Sequence, residues 1–405
     1  MQTNHSSTGA LSSTRNKQSP VSAKAKPRVA FVVCEAGGGH ISAARAISQA
    51  LHEKYPEQYE TPIVAVENMI GPFGRFLGTV YVGSYNLALQ YNQYWVEPWI
   101  FNSLSASRHS LLPFGVPHFR KQLAELQPDM VVMLIHGAHE VFHASIKADG
   151  YIPNLTVVTD AVTIRDSWVH PECDHIIVST PEAREACLAE GIAPEKIEIV
   201  GHPMDPRFAI PAPPRAELCQ QYGIDPDKFT VMIMMGGAGG KKILRFSKLL
   251  AESGLPVQVV AMCGKDAWLL NQMQIFAQTS PIPIHAFGFT TDIPNLMGLC
   301  QAIVTKPGPG TIMEAMARDL PIILDDSNYT MYQEKGNVNY IAEHGIGTVI
   351  SAASELVPAI KNLVTQPALY SQMQAQIQRH KRADAGLQIA DHIHARLNPP
   401  TADTP

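Results

Sequence analysis

Three glycines and a histidine, Gly37-Gly38-Gly39-His40, stand between a short apolar run and a stretch whose apolar residues recur at helical spacing. Glycines let the backbone approach a ligand closely, and the helix N-terminus beyond them favours negative charge. His40 adds an imidazole that titrates near neutrality, suited to taking a proton from a hydroxyl as its oxygen attacks an electrophilic carbon. The plainer alternative is a tight turn with a capping histidine.

Three further groups have the residue types for binding. Lys306-Pro307-Gly308-Pro309-Gly310-Thr311 runs from a strand through a glycine turn into a helix. Amides at such a helix start can hold a diphosphate, and Glu314, one turn further in, can accept two hydroxyl hydrogen bonds. Met235-Gly236-Gly237-Ala238-Gly239-Gly240 follows another apolar strand and suits a second wall for the same anion; Lys241 and Lys242 beside it read as solvated. Gln333, Glu334 and Asn337 offer amides and a carboxylate to polyol hydroxyls, although an ordinary polar loop has the same composition. Asp325 and Asp326 are two successive carboxylates, too little to define a cation site, so no metal is expected.

These motifs need strands to carry them. "RVAFVVC", "DMVVMLIH", "LTVVTD" and "HIIVST" alternate with helical stretches, and a second series follows through "FTVMIMM", "VQVVAMCGK", "PIHAFGF", "QAIVTK" and "LPIILDD". The alternation predicts two consecutive parallel, doubly wound α/β domains, residues 27–206 and 207–375, joined near Pro211, Pro213 and Pro214. A helix and tail, 376–405, complete the chain, and the cleft between the domains is the expected site. At 405 residues and 45% hydrophobic, the chain is long enough for two cores.

Composition narrows the partners. A net charge of −5 without a basic stripe excludes nucleic acid as the expected ligand. Six cysteines without a C-x-x-C pair or zinc-like spacing suggest a reducing compartment, and no apolar run is long enough to cross a bilayer as a helix. Residues 1–26 lack any acid and are rich in Ser, Thr and Lys, which predicts a disordered tail or an organelle-targeting segment. Between residues 68 and 119 aromatic residues concentrate, Trp95 and Trp99 among them, and from Asn68 to Ser107 only Arg75 and Glu97 are charged. That segment reads as core or as a membrane and lipid surface; its glycines and Pro98 argue against one long straight helix.

As a set, "GGGH", "TDAVTIRDSWVHPECDHIIV", "IEIVGHPMDPRF", "VMIMMGGAGG", "AFGFTTDIPNLM", "AIVTKPGPGTIMEAMARDLPIIL" and "YQEKGNVNYI" resemble, in order and spacing, the monogalactosyldiacylglycerol synthase and processive diacylglycerol glucosyltransferase family, part of glycosyltransferase family 28. The resemblance covers roughly Arg28 to Ser371. It implies the glycosyltransferase-B fold and inverting transfer of a hexose from a UDP-sugar to a diacylglycerol-type lipid, with no cofactor beyond that donor. It further implies His40 and Asp160 as catalytic residues, and Gly237, Gly239, Phe289, Gly308, Gly310, Thr311 and Glu314 on UDP, Phe289 near the uracil. Gln333, Glu334 and Asn337 would meet the sugar, and Gly38, Gly39, His136, Trp168, Trp95 and Trp99 the acceptor or lipid. The implied location is cytoplasmic, peripheral on the inner membrane face.

Two motifs depart from the family pattern: no histidine follows "TD" before Trp168, and the "HP" after the third strand becomes His136-Gly137. Other activities compatible with these residues are transfer of N-acetylglucosamine to a polyprenyl-linked or other saccharide acceptor, and sugar-nucleotide epimerisation. A different class is a nucleotide-sugar-binding subunit without catalysis.

Overall fold

The computed structural model describes residues 26–34, 38–72, 75–76, 79–80, 83–84, 97–236, 240–327 and 330–399, with the backbone alone for 97–111 and 148. Twelve strands in these residues form two six-stranded sheets, every pairing parallel. The first sheet holds β1 (Val29–Val33), β2 (Ile63–Ala65), β3 (Met130–Met133), β4 (Asn154–Val157), β5 (His175–Val178) and β6 (Ile197–Ile199), in the order β2-β1-β3-β4-β5-β6. The second holds β7 (Phe229–Met234), β8 (Val257–Gly264), β9 (Ile284–Gly288), β10 (Ala302–Thr305), β11 (Ile322–Asp325) and β12 (Gly347–Ile350), in the order β12-β11-β10-β7-β8-β9.

Both sheets are covered on both faces, which is why their strands are almost wholly apolar. Side chains alternate between two cores with the period of a strand. In β1, Val29, Phe31 and Val33 enter one core and Ala30 and Val32 the other. In β7, Met232 and Met234 part from Val231 and Ile233 in the same way. Each sheet also reverses its winding once, between β1 and β3 in the first and between β7 and β10 in the second. The loops after these four strands are therefore where a ligand has room to enter. They are the stretches that begin at Cys34, Leu134, Met235 and Lys306.

Within the aromatic segment, Glu97–Leu126 is a 30-residue helix with Pro113 and Pro117 inside it, and Val66–Met69 is a separate short helix. Among the described residues no helix is long and apolar enough to cross a membrane.

The domains are tied together at several points. Helix Ala385–Leu397 leaves the second domain and lays Ala385, Ile389, Ala390 and Ile393 into the core of the first. There Asp391 pairs with Lys54 and accepts from the Tyr55 hydroxyl at 2.7 Å, while His394 stacks on Tyr55 with centroids 3.8 Å apart. Arg318 holds the linker by donating to the carbonyls of Arg207 (2.8 Å), Phe208 (3.3 Å) and Ile210 (2.7 Å). Across the cleft, His344 lies 2.8 Å from Glu182, and the Arg165 guanidinium sits 4.6 Å above the Tyr332 ring.

Closest of all is Gly336, in helix Tyr332–Glu343: a Cβ there would lie 2.4 Å from Thr163 Oγ1 and 2.8 Å from Val162. A side chain at 336 must push the domains apart. Gly336→Val should cost about 1–3 kcal/mol, read by thermal unfolding, and should enlarge the particle in small-angle scattering. Unchanged stability and shape would mean that the domains already stand further apart in solution.

Candidate active site

The first lip of the cleft is built on the reversal between β1 and β3. Gly38 caps helix Gly39–Lys54 at φ 76°, a left-handed conformation that favours glycine, and both Gly38 and Gly39 are exposed. His40 follows in the first turn, its Nδ1 3.0 Å from Thr159 Oγ1 at the end of β4. Burial holds the His40 imidazole down to about 4, against a weaker upward pull from Glu67, so the ring is neutral at physiological pH. His136, after β3, is also held down to about 4, by burial and then by His40 and Arg165.

Trp168 backs both histidines, with ring centroids 5.7 Å from His40 and 5.9 Å from His136. The Trp168 ring is fully buried. Its indole N–H donates to Asp160 Oδ2 at 2.6 Å. Burial pushes the Asp160 carboxyl up to about 7; the Trp168 hydrogen bond pulls it down and the charge of Glu334, from the other domain, pushes it up.

The second lip lies at the reversal between β7 and β10. Helix Pro309–Ala317 begins with a proline and has no side chain capping its N-terminus, so its first amides are open to an anion. Gly308 and Gly310 keep the approach clear. A Cβ on Gly308 would meet Lys306 at 3.5 Å, and one on Gly310 would meet His202 Nε2 at 3.6 Å. Thr311 lies in the same first turn, and burial and then Asp205 push Glu314 up to about 7. Lys306 donates to Glu334 Oε1 at 2.7 Å, and Asn337 donates to the Pro307 carbonyl at 2.8 Å, so Asn337 fastens the turn from behind. Lys242, read as solvated, instead donates to buried Asp325 at 2.5 Å and to Ser327 at 3.0 Å. Phe289 follows β9 at the same edge, exposed, with Lys265 Nζ 5.2 Å from its ring centre.

The lips meet in a cavity of about 50 Å³ lined by His40, His136, Asp160, Arg165 and Gln333, which brings sequence-predicted residues of both domains together. A larger cavity of about 270 Å³ lies beside it in the first domain, lined in part by Glu67, Arg75, His118 and Lys121. The larger cavity is lined by first-domain residues, whereas Gln333 of the second domain joins His40 and Asp160 at the smaller one. Glu67 connects the two, lying 2.9 Å from Cys34 and acting electrostatically on His40.

Gly237, Gly239 and Trp95 lie outside the described residues, as does the side chain of Trp99. Sequence reading missed His202, a histidine of the first domain placed on the second domain's anion cradle. It is 7% exposed, and its Nδ1 is buried without a hydrogen-bond partner. It missed Arg165 as well. Only the short interval between "GHP" and the glycine-rich helix start in the folded chain marks His202, and that is invisible in one dimension.

The match of its second domain to glycosyltransferase family 28, on two doubly wound domains, makes the chain a UDP-sugar-dependent glycosyltransferase of the glycosyltransferase-B fold. Residues 40–204 match the family described as monogalactosyldiacylglycerol (MGDG) synthase, and residues 230–389 the glycosyltransferase family 28 C-terminal domain. The two matches fall one on each domain. It is 28% identical over 404 residues to the chloroplastic monogalactosyldiacylglycerol synthase of Spinacia oleracea, covering 95% of this chain and 75% of that protein. It is 29% identical to a probable chloroplastic synthase of Nicotiana tabacum over 84% of this chain and 64% of that one.

Solved structures share the fold. Acinetobacter baumannii MurG superposes with TM-score 0.61 at 14% identity, covering 91% of this chain and 99% of that one. A UDP co-structure of S. aureus MnaA superposes with TM-score 0.58 at 16% identity, covering 94% and 99%.

The Trp168–Asp160 bond gives a direct test. The indole favours the ionised carboxylate, so Trp168→Phe removes a downward pull. The Asp160 midpoint, followed by carboxyl carbon NMR, should then rise further above about 7. An unmoved midpoint would mean that burial alone sets it.

Proposed function

We propose that the chain transfers a hexose from a UDP-sugar to the free hydroxyl of a diacylglycerol-type lipid, with inversion at the anomeric carbon. The observation that carries this reading is the neutral His40 imidazole on the floor of the interdomain cavity, opposite the open helix N-terminus at Gly308–Thr311. With Nδ1–H donated to Thr159, Nε2 keeps a lone pair for the acceptor proton. The acceptor oxygen forms the new bond to the anomeric carbon as the bond from that carbon to the β-phosphate oxygen breaks. UDP leaves onto the amides of Gly310 and Thr311, where the helix dipole stabilises the charge it gains.

Glu314 offers its carboxyl to the ribose and Phe289 its ring to the uracil, while Gln333 and Glu334 meet the sugar hydroxyls. Asp160 and Trp168 hold the floor beneath His40, and Lys306 supplies positive charge next to the diphosphate. The lipid enters from the first domain, past the cavity lined by Glu67, Arg75 and His118. Phe76, Val80 and Phe114 expose half or more of their surface on this side, which supports a peripheral seat on the cytoplasmic face of a membrane. The names of the plant relatives, which place a galactose on diacylglycerol, support the lipid acceptor.

His40→Ala should lower turnover by about 10²–10⁴-fold while UDP binding, measured by calorimetry, survives. Loss of both would move His40 to a structural role. Liposomes containing diacylglycerol, incubated with UDP-galactose, UDP-glucose or UDP-N-acetylglucosamine, should yield one new glycolipid by mass spectrometry. UDP binding without any lipid product would withdraw the lipid acceptor and leave the transferase assignment standing.

A further inference from the structure

Behind the cleft floor lies a second group of chemically capable side chains that glycosyl transfer does not use. Helix His139–Asp149 carries His139 and His143 four residues apart, hence on one face. The loop that begins at Asp160 returns past Trp168 and brings Cys173 between them. Its Sγ is 3.5 Å from His139 Nδ1 and 3.7 Å from His143 Nε2. A tetrahedral zinc with bonds of about 2.3 Å to sulfur and 2.0–2.1 Å to nitrogen sets those atoms about 3.6 Å apart. One donor atom from each of the three residues falls within 4.8 Å of the others.

All three side chains are buried, and His139 Nε2 has no hydrogen-bond partner. His170 stacks on His143 with centroids 4.4 Å apart, and His143, His170 and Glu172 form an adjoining set of the same tightness. Glu172 is exposed and His170 half-buried, so the cluster has a path to solvent.

We propose that His139, His143 and Cys173 hold a zinc ion, with His170 as the ligand nearest at hand for the fourth position. Imidazole and thiolate are the donors that zinc favours, and oxygen-seeking Mg²⁺ or Ca²⁺ would not choose them. Cys173 binds as the thiolate, and its proton passes to solvent. The role is structural. The ion ties the far end of the Asp160–Cys173 loop to the helix after β3, and that loop carries Asp160, Arg165 and Trp168. Gly137 already donates to the Ser167 carbonyl at 2.8 Å, so zinc would complete a fastening present in part. Without it the same side chains form a buried thiol–imidazole contact and nothing more.

The full-length protein, purified without added metal and dialysed, should carry about one zinc per chain by elemental mass spectrometry. After chelation, cobalt should restore a thiolate-to-metal charge-transfer band, and zinc should raise the melting temperature. Cys173→Ser should abolish the band, and both it and His143→Gln should weaken zinc binding by more than the about tenfold that loss of an outer-shell partner causes, with UDP binding kept. Wild-type protein that retains neither zinc nor cobalt after add-back would overturn the proposal. Variants that hold zinc as tightly as wild type would also overturn it. Should Cys173→Ser fail to fold, the cobalt spectrum of the wild-type protein decides alone.

Discussion

Every functional group described above depends on one constraint: all twelve strands run parallel within their sheets. A parallel strand returns to its sheet only through a crossover, so each sheet has one edge made wholly of carboxyl ends. Where the winding reverses, neighbouring crossovers leave in opposite directions and a crevice opens. This chain contains two such crevices turned toward each other. His40 and His136 stand at one, Lys306 and the Gly308–Thr311 turn at the other. The linker clamp by Arg318 and the seat of Gly336 against Thr163 bring them to a spacing at which His40, Asp160 and Gln333 line one cavity.

Water exclusion then sets the chemistry of that cavity. Burial lowers the imidazoles of His40, His136 and His202 to about 4 and raises the carboxyls of Asp160 and Glu314 to about 7. Neutral forms prevail on both kinds of group because a charge without a partner is costly in such surroundings. Several polar atoms also remain buried without hydrogen bonds, including His202 Nδ1, Thr305 Oγ1 and Asn337 Oδ1. A folded chain tolerates such atoms mainly where a ligand or water is to meet them. Their gathering around the β10 end agrees with a site made for a polar, multiply hydroxylated molecule.

The architecture was legible in the sequence because buried parallel strands have to be nearly continuous apolar runs, and the glycine turns stand directly after four of them. His40, the KPGPG turn and Glu314 were legible for the same reason: each sits at a fixed offset from a strand end. What escaped were contacts made between distant segments. Only packing shows Trp168 buried behind two histidines. Lys242 looked like a surface lysine, and its partner Asp325 lies 83 residues away. The His139, His143 and Cys173 cluster escaped because no zinc-like spacing shows around the cysteines: His-x₃-His on a helix and His-x₂-Cys in a loop stand far apart in the chain and meet only in the fold.

The helix Ala385–Leu397 has a consequence for how the chain comes into being. It fills part of the first domain's core, yet it is synthesised after the whole second domain. The face of helix Gly39–Lys54 that receives it therefore waits, uncovered and apolar, while some three hundred further residues emerge from the ribosome. The first domain cannot finish folding on its own. Its completion is the last event in the assembly of the chain, so a chain truncated before residue 385 would keep an open apolar face in the domain that carries His40.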